Sequence, residues 1–168
     1  MNFIKTLKSG LTGLLIICTF QTIAQRVNFS GNWHYNKEKS DLSDHPAYSF
    51  PAELQVTMTA DSIFIDAIIN KVNEKTRNTA PAKYSLDGTQ TKYALQDNLK
   101  RLSSCQISSD KKSLLKKSKT TRAEETLRTV NELWTLSADG KVLNISLTEQ
   151  DDNQEPYTVI GVFENQFL

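Results

Sequence analysis

Cysteine and histidine are almost missing from this chain, with two of each among 168 residues. His34 and His45 have no Cys or acidic cluster at ligand spacing, so no metal is expected. Glycine-rich phosphate loops and a G-x-S-x-G elbow are also missing, and with them the usual signatures of nucleotide and acyl-transfer chemistry. No cofactor and no enzymatic activity are expected. Aromatic residues are absent between Ala94 and Leu133. The basic stretch there therefore lacks the interleaved rings of a base-stacking platform, which excludes nucleic acid as the expected partner. After residue 25 no run is apolar enough to span a bilayer as a helix, and no segment sustains a period of 3.6.

The N-terminus does contain one apolar run. Lys5 and Lys8 precede Leu11 to Phe20, and Thr22-Ile23-Ala24 ends on a small residue. This is the grammar of a secretory signal peptide over residues 1–24, followed by one domain over residues 25–168. A lipoprotein site at Cys18 is the rival, but Ile17 is large where such processing favours a small residue. The expected location is periplasmic or secreted. Cleavage leaves Cys105 as the single thiol, so no internal disulfide holds the fold and the core must do so. It also takes Lys5 and Lys8 from the 20 Lys and Arg, leaving 18 basic against 19 acidic residues. That balance argues neither for a polyanion nor for a wholesale membrane surface as partner.

What remains is alternation. Leu54, Val56 and Met58 alternate with polar residues, as do Leu143, Ile145 and Leu147. Strands are also expected over 63–69, 84–86, 91–95, 102–107, 114–121, 126–136 and 157–163. Polar turns separate them, with Asp87-Gly88 and Asp139-Gly140 as hairpin signals. Residues 37–50 read as a loop with at most one helical turn, and 71–79 as a polar turn. About ten short strands in sequential hairpins make an all-β, antiparallel, up-and-down meander, and closing the last strand on the first removes its edges. An open curved sheet or a two-layer sandwich is the alternative.

The run Phe29-Ser30-Gly31-Asn32-Trp33, continuing through Asn36 to Ser40-Asp41, resembles a family of small secreted bacterial lipocalin-like proteins. So does Leu133-Trp134-Thr135-Leu136-Ser137-Ala138-Asp139-Gly140 with Lys141 to Ile145. The resemblance implies a calycin-type barrel in which Trp33 plugs one end. It departs from the true lipocalins in having no Arg between Gln154 and Leu168.

Apolar faces concentrate at the two ends of the chain, and the middle strands are polar on both faces. A barrel would bring the ends together, giving a lumen with one apolar and one polar wall. That suits a small amphipathic ligand. The expected wall residues are Trp33, Tyr35, Ile65, Tyr84, Tyr93 and Trp134. Trp33 is further expected to pack on the last strand at Val159 and Phe163. A basic cluster, Lys111, Lys112, Lys116, Lys117, Lys119 and Arg122, with Lys100 and Arg101 one strand earlier, reads as a solvated hairpin or as a patch for an acidic envelope or protein partner.

Overall fold

The computed structural model describes residues 26–71, 74–77, 81–152 and 154–165. The expected signal peptide lies outside them. Among the described residues eleven strands form a single antiparallel sheet: β1 Gly31–Tyr35, β2 Glu53–Met58, β3 Ser62–Lys71, β4 Glu74–Arg77, β5 Ala82–Ser85, β6 Thr91–Ala94, β7 Leu99–Ile107, β8 Ser113–Arg122, β9 Glu125–Leu136, β10 Val142–Asp151 and β11 Tyr157–Asn165. The path runs β4-β3-β2-β1-β11-β10-β9-β8-β7-β6. First and last strands are neighbours, as expected: Tyr35 stands opposite Phe163.

The strand count differs by β4. Its sequence, Glu-Lys-Thr-Arg, carries no apolar residue and so gives no alternation to read.

The seam is the larger correction. Asp87-Gly88 does turn, and the Asp87 carboxylate accepts the Thr89 backbone N–H at 2.8 Å. Yet β5 pairs with β3, while β6 pairs with β7. The chain between them reaches β7 directly, where the Gly88 N–H donates to the Cys105 carbonyl at 2.9 Å. The sheet is thus nearly closed into a barrel. Tyr93 bridges the seam, its ring edge-on to Tyr84 at 6.5 Å and its hydroxyl donating to the Lys83 carbonyl at 3.4 Å.

Residues 26–30 close one end. The Val27 N–H donates to the Lys111 carbonyl, and Phe29 is wholly buried with its ring edge-on to Trp134. Trp33 sits here at 1% exposure, its indole N–H donating to the Phe29 carbonyl at 2.9 Å. Trp33, Val159 and Phe163 are buried in one core cluster. Register sets Asn165 opposite Trp33, and the Tyr35 ring meets Phe163 at 5.4 Å. Gly31 explains the Gly-x-Trp spacing: a Cβ there would lie 2.8 Å from the Asn165 amide and 3.2 Å from the Trp33 ring.

The β1–β2 connection runs along the rim of the other, open end. It contains turns and no helical turn. It first follows β11 through a bridge between Asp41 and Ile160. His45 then stacks on Tyr157 at 4.3 Å, and Tyr48 and Phe50 turn inward. Phe50 lies against Gly161, where any Cβ would approach its ring to 2.8 Å.

Candidate functional site

Strand pairing stacks the inward side chains of β7 to β10 in layers. Nearest the closed end are Ile107, Leu114, Trp134 and Ile145. Next come Cys105, Lys116, Glu132 and Leu147. Above them lie Ser103, Ser118, Val130 and Glu149, and at the rim Arg101, Thr120, Arg128 and Asp151. Polarity rises toward the open end, and the opposite wall stays apolar through Leu54, Val56, Ile63 and Ile65.

Two adjoining compartments occupy this space, each of about 170 Å³. The deeper one is lined by Phe50, Leu54, Ile65, Trp134, Ile145 and Phe163. The outer one is lined by Arg101, Ser118, Thr120, Arg128 and Val130. Tyr48, Lys116, Glu132 and Leu147 belong to both. Together they reach the low end of ligand pockets, roughly 300–1,000 Å³. Larger depressions of about 590 and 610 Å³ lie outside the closed end among the turn residues, including Arg26 and Lys111. They are shallow surface features, and the layered interior is where apolar and charged groups converge.

Glu132 divides its two oxygens at the boundary. Oε1 pairs with the Lys116 ammonium, and Oε2 accepts the Trp134 indole N–H at 2.8 Å. Burial pushes the Lys116 pKa down, but the Glu132 carboxylate beside it outweighs burial and raises it overall, so the ammonium stays charged. Burial likewise pushes the Tyr48 and Tyr84 hydroxyls up to about 12, and the Cys105 thiol up to about 12. Nearer the mouth, Arg128 pairs with Glu149 and lies 3.8 Å from Asp151. Burial, and then the same Glu149 carboxylate, push the Tyr157 hydroxyl up to about 12.

Of the six expected wall residues, Ile65 and Trp134 line the deep compartment. Trp33 belongs to the closed end and Tyr35 to a ring cluster with Phe50 and Phe163. Tyr84 and Tyr93 mark the seam. The basic cluster divides as well. Lys117 and Lys119 are exposed on the outer face of β8, while Lys111, Lys112 and Arg122 are exposed at its turns. Lys116 faces inward at 19% side-chain exposure, which removes it from the patch. Sequence reasoning missed Glu132, Arg128 and Glu149, and read Arg101 only as part of the basic cluster. Glu132 was findable, because it alternates with Val130 and Trp134 on a face already read as buried. Among the described residues no three His, Cys, Asp or Glu side chains gather to hold a metal, and no helix is long and apolar enough to cross a membrane.

No protein-family model matches the chain, and no curated protein does. Among solved structures, the chain is similar to a luciferase domain from the dinoflagellate Lingulodinium polyedrum, at 9% identity and a TM-score of 0.48. That match covers 81% of this chain and 42% of the luciferase domain chain.

Proposed function

We propose that this chain is an exported, non-catalytic binding protein that holds a small amphipathic ligand in its barrel. It would belong with the small secreted bacterial lipocalin-like proteins that its first and ninth strands resemble. The observation that carries the reading is the pair of adjoining compartments, one apolar and one polar, meeting at Lys116 and Glu132. A purely hydrocarbon ligand would strip water from the outer compartment's charges without replacing it. A purely polar ligand would leave the deep compartment unfilled. The protonated Cys105 thiol and charged Lys116 ammonium are poor nucleophiles, which supports a binding role over a catalytic one.

Native mass spectrometry of protein exported from bacterial cells tests this. The expected result is a retained small molecule, lost on unfolding and on replacing Trp134 or Ile65 with a charged residue. Protein that carries nothing, and whose Trp134 fluorescence responds to no amphiphile, would overturn it.

A second reading is a protein-interaction module of the cell envelope, favoured by the shared outer face of Lys117 and Lys119. A pull-down with Lys117→Glu/Lys119→Glu, leaving Lys116 intact, separates the two. Loss of an acidic partner from that variant alone would support the patch.

A further inference from the structure

We propose that the ligand's head is an anion, a carboxylate on a short acyl or aryl tail, and that Arg101 is its receptor. This rests on the lumen-binding reading above and goes further by fixing the sign of the head group. The outer compartment is lined by three cations, Arg101, Lys116 and Arg128, and by one carboxylate, Glu132. Two of the cations are already matched: Lys116 by Glu132, and Arg128 by Glu149 and Asp151. Arg101 is not. Among the described residues no carboxylate lies within 4.0 Å of it, and its side chain is steadied by one long hydrogen bond, from Nε to the Thr120 hydroxyl at 3.5 Å. A guanidinium has five N–H donors in a planar fork that fits a carboxylate with two parallel hydrogen bonds.

Ser103 adds an independent observation. It shares the inward face of β7 with Arg101, is buried at 2% exposure, and its hydroxyl has no hydrogen-bond partner in the protein. A buried hydroxyl left unpaired is costly, and Ser103 stands directly across from Ser118, which lines the outer compartment, so the unmet polar group lies behind that wall. A cationic head would meet Arg101 with like charge and would have to compete with Lys116 or Arg128 for a carboxylate already engaged. The tail is short, because a deep compartment of about 170 Å³ has room for about six water-sized groups.

Isothermal titration with octanoate, octan-1-ol and octylammonium at neutral pH tests the sign directly. The wild type is expected to bind octanoate at least ten-fold more tightly than octanol, and octylammonium weakest. Arg101→Gln should lower octanoate to the level of octanol. Arg122→Gln, which removes an exposed cation at the β8–β9 turn, should leave the preference in place. Thermal melts establish that each variant is folded. If the wild type binds octanoate and octanol equally, or prefers octylammonium, the anionic head is wrong while the lumen receptor stands. If Arg101→Gln weakens all three equally, or Arg122→Gln abolishes the preference as well, Arg101 is not the receptor. If folded wild type binds none of the three, the lumen receptor falls and this inference with it.

Discussion

Trp33 and Trp134 are each 1% exposed, yet the two ends of the barrel use them differently. At the closed end, Trp33 donates to a backbone carbonyl and sits beside a wholly buried Phe29. In the lumen, Trp134 donates to the carboxylate of a buried ion pair and presents its ring to a cavity. The comparison teaches that burial alone does not sort structural from binding aromatics. The partner of the indole N–H, and whether space lies against the ring, sort them better. The closed end anchors the sheet; the lumen tolerates charge and empty volume that a pure core would eliminate.

The largest expected effect tests the closed end. Trp33→Ala should cost about 3–5 kcal/mol, since it empties a close-packed site between Phe29 and Gly31. A denaturant or thermal melt reads this as a large fall in midpoint. An unchanged midpoint would mean that the closed end is not an anchor.

The second effect tests the lumen. Glu132→Leu leaves the largely buried Lys116 ammonium without its partner and removes the acceptor of Trp134. About 2–4 kcal/mol of destabilisation is expected, slightly below the usual cost of breaking a fully buried pair. The double variant Lys116→Met/Glu132→Leu removes both charges and should be more stable than Glu132→Leu alone. A double variant less stable than the single would show that the pair is a structural requirement of the fold. It would then not be a charge feature retained for binding.

Alkali separates the regions further. Burial raises the Tyr48 and Tyr84 hydroxyls to about 12, against about 10 in the unfolded chain. The folded state thus holds protons that the unfolded state releases. The stability these tyrosines contribute is complete below pH 10 and is lost as pH rises toward 12, by about 1.4 kcal/mol per unit for each group. The raised Lys116 pKa acts with the same sign. Urea melts should be nearly flat from pH 7 to 9 and fall steeply above 10. Tyr84→Phe should be less stable at neutral pH by a small margin and should lose about 1.4 kcal/mol less of its stability than the wild type on going to pH 11. Equal slopes for wild type and variant would show that Tyr84 ionises freely in the folded state.

Much of the fold was legible where one side of a strand is dry. The alternation of Leu143, Ile145 and Leu147 matches β10, whose inward positions are buried in turn. Gly31-x-Trp33 was legible because only glycine fits beside the indole. The partner of β5 was not legible. A two-residue Asp-Gly signal reports a local turn, and which strands it joins is decided by long-range pairing, here Leu86 to Asp61 and Gly88 to Cys105. The site was half legible. Ile65 and Trp134 are apolar residues on alternating strands, and such residues can be placed inside. Lys116 was hidden in a run of lysines whose charge reads as solvated. Only the pleat, placing it two residues from the buried Leu114, separates it from Lys117. Arg101 was legible only as one more cation of the basic cluster, since its place in the lumen depends on Thr120 and on the absence of a carboxylate beside it among the described residues.

The smallest effect sharpens the comparison most. Trp134→Phe keeps an aromatic ring in the deep compartment but removes the N–H that Glu132 accepts. The carboxylate keeps Lys116 on its other oxygen, so only part of its hydrogen bonding is lost. The cost should be about 1–2 kcal/mol, at the lower end of bonds to a charged group. Trp33→Phe also loses one N–H donor, but its acceptor is a neutral carbonyl, and that bond should contribute about 1 kcal/mol. The larger part of the Trp33→Phe loss should come from volume removed in a packed site. The two variants therefore respond differently to a ligand. Octanoate should restore stability to Trp134→Phe, because a tail in the deep compartment can fill the space that the smaller ring leaves. Trp33→Phe should gain no more from octanoate than the wild type does. Melts of both variants with and without octanoate decide this, and an equal gain for the two would remove the distinction between anchor and lumen on which the comparison stands.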